Sequence, residues 1–140
     1  MSTKLLVLVT KGLNEDYIAS LLGDIQQSLS RLGLADVTLS DSGSWFRERF
    51  QQTGDWDSWV WETVNGIDYI SRKYNFDGFV VTSDQLGKAN AGIVSLALQN
   101  KRAVLAYDED RPLRKVTELH ADDPTNWTEG WSFDAERIEV

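Results

Sequence analysis

The sequence predicts an α/β fold of three layers, doubly wound around a mostly parallel sheet of four or five strands. Three observations point there. Between Asn75 and Asp108 come an apolar run (Phe79-Val80-Val81), a polar turn (Thr82 to Lys88), a helical stripe (Ala89 to Leu98) and a second apolar run (Ala103 to Tyr107). That order is a βαβ unit, whose strands lie parallel and whose crossover is right-handed. The N-terminal run Lys4 to Thr10 is rich in Leu and Val, as in a strand buried on both faces. With 140 residues, 41% hydrophobic and 26% charged, residues 1–140 form a single domain large enough for its own core.

After the first strand and the turn Lys11-Gly12-Leu13, Asn14 is placed to cap a helix, with Glu15 and Asp16 in the first turn where the helix dipole favours anions. The stripe Ile18, Leu21, Leu22, Ile25, Leu29 and Leu32 carries this helix to Gly33, which stops it. Asp36 to Ser40 alternates polar and apolar and is expected as an edge strand. Residues 41–53 read as a loop with one helical turn at Trp45 to Phe50. Asp55 to Tyr74 reads as a long helix, with Gly66 in its middle costing about 1 kcal/mol relative to alanine.

Beyond the βαβ unit, Asp108 to Pro112 is a charged loop. Val116 to Leu119 and Arg137 to Val140 are candidate short strands, with the WTEGW stretch as a loop between them. The assembly is Rossmann-like, with strand order 2-1-3-4, a possible fifth strand from the tail, and a switch point between strands 1 and 3. Ligands bind outside the carboxyl ends of such strands. The residues expected to face that crevice are Thr10, Lys11 and Gly12 from the first turn and Ser83, Asp84, Gly87 and Lys88 from the third. The two lysine-glycine pairs offer ammonium groups and backbone N–H groups to an anion, although neither is a complete phosphate-loop motif.

Composition narrows the function classes. The formal charge is −8, and residues 108–140 carry ten acids against four bases, so the tail holds −6 of it. A broad nucleic-acid surface is not expected. The absence of cysteine excludes disulfides and thiolate metal sites, and a single histidine excludes a His-rich zinc centre, so neither a metal nor a cofactor is expected. No run reaches membrane-span length and the N-terminal apolar stretch is short for a signal peptide, which makes a cytoplasmic protein the default expectation. Trp59 and Trp61 are about 200° apart on a helix, so the Trp56, Trp59 and Trp61 group is expected to expose at least one ring, in a homo-oligomer interface or over a pocket. His120 stands alone in a weakly patterned tail next to acidic residues, and a catalytic role is not expected of it.

Asp68 in the long helix, the strand Asp77-Gly78-Phe79-Val80-Val81, Asp84 at its end, Gly87 in the loop and Asn90-Ala91-Gly92 opening the next helix together resemble the nucleoside 2-deoxyribosyltransferase-like superfamily, over roughly residues 60–107. Asn90 stands where that superfamily carries its nucleophilic glutamate. A carboxylate forms a glycosyl intermediate, and a neutral amide does not. The resemblance therefore implies a pocket for a nucleoside or nucleotide, in a protein that is catalytically altered or hydrolyses an N-glycosidic bond with water. Asp84 would then act as base, Asp68 as sugar clamp and Asn90 as orienting group. A second class remains open: an acidic interaction or inhibitor protein that uses the fold as a scaffold for a protein partner.

Overall fold

The computed structural model describes residues 3–9, 14–34, 36–42, 64–65, 71–72, 75–123, 125 and 130–138. Within them, β1 (Thr3–Val7), β2 (Val37–Asp41), β3 (Gly78–Thr82), β4 (Ala103–Asp108), β5 (Arg111–Ala121) and β6 (Trp131–Arg137) form one sheet in the order β2-β1-β3-β4-β5-β6. The contacts from β2 through β1 and β3 to β4 are parallel, and those of β4 with β5 and β5 with β6 are antiparallel. The expected four or five mostly parallel strands are thus corrected to a six-stranded mixed sheet. The class, α/β, stands.

Strand alternation sorts the apolar residues onto two faces. Leu5, Val7, Val9 and Val80 pack with α1 (Glu15–Arg31), while Leu6, Leu8, Phe79, Val81, Val104 and Ala106 pack with α2 (Lys88–Gln99). Each face is thus covered by one of these two helices, and on the α2 side Val64 packs against the core as well. Helix α1 begins as its sequence requires: the Asn14 side-chain oxygen accepts from the backbone N–H groups of Asp16 at 2.7 Å and Tyr17 at 3.4 Å. Its buried stripe is Ile18, Leu21, Ile25 and Leu29, and each such side chain contributes about 1.5–3 kcal/mol by leaving water. The chain leaves the helix through Gly33 at φ 80°, the left-handed region open to glycine.

The tail holds the largest difference from expectation. Val116 to Leu119 is part of an 11-residue strand, β5, and the charged loop before it shrinks to Glu109-Asp110, the hairpin turn from β4. β6 runs Trp131–Arg137 rather than starting at Arg137. Only the middle of β5 was legible, and the reason is a bulge. Val116 pairs with Ala135 and Glu118 with Asp134, so Thr117 is an extra residue opposite none. Val116 and Leu119, three apart, consequently face the same core, and the period of two is lost.

The loop at 43–53 and most of the helix Asp55 to Tyr74, with its tryptophans, lie outside the described residues; residues 64–65 and 71–72 are helical. Val64 leans on α2 so closely that a Cβ on Gly92 would stand 2.8 Å from its Cγ2. Among the described residues no helix is long and apolar enough to cross a membrane.

Two stability effects follow. A Cβ at Gly78 would meet the Ala103 carbonyl oxygen at 2.5 Å, so Gly78→Ala is expected to cost about 1–3 kcal/mol in urea unfolding. Lys101 sits at φ 58° just past α2, and Lys101→Gly is expected to raise stability by about 1 kcal/mol in the same measurement.

Candidate functional site

β3 and β4 end side by side, with Thr82 in register with Tyr107. Beyond them the chain diverges, one branch into a single 3₁₀ turn (Ser83–Gln85) and the other into the Glu109-Asp110 hairpin turn. The first half of α1 passes over the gap. Its residues Tyr17, Ser20, Leu21 and Asp24 share one stripe at helical spacing, and with the strand ends they enclose a cleft of about 390 Å³. Carboxyl ends of parallel strands are where α/β sheets bind ligands, because that is where the covering helices leave the strands.

The cleft is acidic. Asp24, Asp84, Asp108, Glu109 and Asp110 all line it. Asp108 is answered on both oxygens: Oδ1 accepts from the Ser83 hydroxyl at 2.7 Å, and Oδ2 takes a 2.7 Å ion pair with Arg114. Asp84 receives only a long hydrogen bond from the Tyr17 hydroxyl, at 3.4 Å. Burial, and then the neighbouring Asp84 charge, push the Tyr17 phenol above its ordinary value. Burial, followed by the charge of Asp24, does the same to Tyr107. Both rings therefore stay neutral at physiological pH and present an apolar body with a hydroxyl.

At the floor of the cleft, Thr82 is 3% exposed and its Oγ1 has no hydrogen-bond partner. Val80 faces α1, and alternation places the Thr82 side chain on that same side. A buried hydroxyl left unpaired costs about 1–3 kcal/mol. A ligand hydroxyl, amide or trapped water reaching it would recover that cost.

The structure brings together only part of the expected crevice. Ser83 and Asp84 line the cleft. Gly87 caps α2, Lys88 opens it, and Asn90 lies 1% exposed in its first turn; none of these three forms a cleft wall. Thr10, Lys11, Gly12 and Asp68 lie outside the described residues. Tyr17, Asp24, Tyr107 and Thr82 are the contributors that sequence reasoning missed. Applying the strand-end rule to β4 as well as β3 would have found Tyr107 and Asp108. The polar stripe beside the buried face of α1 would have found Tyr17 and Asp24.

No protein-family model, curated protein or solved structure matches this chain. Fold and cleft together define an α/β protein with an acidic, tyrosine-flanked cleft at the carboxyl ends of its central strands.

The Tyr17–Asp84 contact has a spectroscopic consequence. Because its folded value is raised, the stability that neutral Tyr17 contributes is present below pH 10, the ordinary phenol value, and is lost as pH climbs through the folded one. Asp84→Asn is expected to move the Tyr17 transition down towards pH 10 without reaching it, since burial is the larger cause. Ultraviolet difference titration against Tyr17→Phe reads this directly.

Proposed function

We propose that this protein binds a nucleoside, or a similarly polyhydroxylated small molecule without a phosphate, in the cleft between α1 and the ends of β3 and β4. One observation carries the proposal: Asp84, with no cationic partner among the described residues, lines the same cleft as a buried threonine hydroxyl that has no hydrogen-bond partner among them. Among the described residues Asp84 has only the Tyr17 hydroxyl as a partner, and Thr82 Oγ1 has none. Carboxylates accept hydrogen bonds from sugar hydroxyls in pairs, and neutral phenols beside them supply apolar surface for a ring. The same charge disfavours phosphorylated ligands.

Support also comes from the resemblance of residues 60–107 to the nucleoside 2-deoxyribosyltransferase-like superfamily, with Asn90 in the place of its nucleophile. On this proposal the protein is a binder or an atypical N-glycosidic hydrolase. In the second case Asp84 activates water, with Asp68 and Asn90 in the holding roles the resemblance assigns to them. The exposed acids at the rim, Asp24, Glu109 and Asp110, favour one alternative, an acidic surface for a basic protein partner.

Thermal-shift assays against nucleosides and the matching monophosphates discriminate these readings. A nucleoside at about 100 times its Kd adds about 2.7 kcal/mol of stability, and its monophosphate is expected to add clearly less. Asp84→Ala is expected to abolish the shift with the unliganded melting temperature unchanged. Chromatography of the ligand afterwards separates binding, with the nucleoside intact, from hydrolysis, with free base. No shift with any nucleoside, together with salt-sensitive binding to a basic protein, would replace this proposal with the alternative.

A further inference from the structure

We propose that Glu118, His120 and Asp134, on the outward face of the β5–β6 hairpin, form a site for a divalent transition-metal ion of the zinc class. The sequence has one histidine, and it does not line the cleft. What places it is the bulge at Thr117. Were Thr117 an ordinary ladder residue, Glu118 and His120 would share the face of Val116 and point into the α2-side core; because it is bulged out, Leu119 points inward and both polar residues turn outward together. The Thr117 hydroxyl donates to the Asp134 carbonyl oxygen at 3.2 Å and ties the bulge to β6. Bulges of this kind re-aim side chains, and here the result is a convergence of ligand atoms.

Asp134 pairs directly with Glu118 across the two strands, and His120 Nε2 lies 2.9 Å from Asp134 Oδ2. One donor atom from each of the three residues lies within 4.8 Å of the other two. Two carboxylates directly opposite on neighbouring strands repel, and among the described residues Glu118 has no hydrogen-bond or ion-pair partner to offset this. Asp134 already has His120 as its partner, which leaves the Glu118 charge unanswered; a dication answers all three groups at once, because a neutral imidazole with two carboxylates carries −2. The nitrogen donor selects the zinc class over calcium or magnesium, which take oxygen ligands. Three protein ligands leave a position for water. Composition excludes cysteine-rich and histidine-rich centres, but not this set of one imidazole and two carboxylates.

The site is independent of the cleft and is tested on the untagged full chain. With a single histidine, the imaginable ambiguity of assignment disappears: His120 supplies the protein's imidazole resonances. Titration with zinc chloride, followed by NMR and by calorimetry, is expected to shift those resonances with saturation at one equivalent, while magnesium leaves them in place. Glu118→Gln and Asp134→Asn, both at exposed positions, are each expected to weaken zinc binding by about tenfold or more, with far-UV circular dichroism unchanged. Ring resonances that stay put at roughly a tenfold excess of zinc, or zinc binding unaltered in both variants, would overturn the proposal.

Discussion

β3 is the constraint on which the rest of the structure depends. All five of its residues are buried, and it carries parallel ladders on both sides, to β1 and to β4. A strand with no solvent on either face must have its backbone groups paired along both edges and apolar cover above and below. Phe79 and Val81 supply one core and Val80 the other, which obliges α1 and α2 to lie on opposite faces. The glycine at its start permits the Ala103 backbone to come close. At the amino end, Arg102 closes the layer, donating to the Phe76 carbonyl oxygen at 2.6 Å and lying 4.9 Å over the Phe79 ring. Polar chemistry can therefore begin only where β3 ends, at Thr82.

The cleft grows out of that end, and its carboxylates are not equivalent. Asp108 is held by Ser83 and Arg114 and is spent on structure, since it joins the end of β3 to β5 through β4. Asp84, one residue past Ser83, has only Tyr17. The local fold thus uses one acid to stiffen the strand ends and leaves another beside them facing the cleft. The Asp108–Arg114 pair at 2.7 Å commits that arginine to Asp108.

Legibility followed periodicity. Helix α1 was readable almost to the residue, because its Asn14 cap, its stripe and Gly33 all agree. The βαβ unit was readable because its two apolar runs and one amphipathic stretch lie together in the chain. The β5–β6 hairpin was legible only at Val116 to Leu119: Thr117 breaks the alternation of β5, so the inward residues Val116 and Leu119 stand three apart instead of two. β6 carried a usable signal in the alternation of Trp131, Phe133 and Ala135, but the four expected residues of β5 were too few to show its partner. In the cleft, Ser83 and Asp84 were legible as the end of an apolar run, while Tyr17 and Asp24 belong to a helix some 60 residues away in the chain.

By itself, then, the sequence determined the α/β class, the capped first helix, the parallel unit around β3 and the place where polar residues emerge from it. These are local properties, set by side-chain period and by capping chemistry within a few residues. The tertiary structure alone decided which strand continues the sheet, that β5 and β6 are added antiparallel, and which distant groups meet: α1 with the ends of β3 and β4, and Glu118 with Asp134. Those outcomes depend on register between segments far apart in the chain, and register is chosen by the joint packing of both faces rather than by either segment alone.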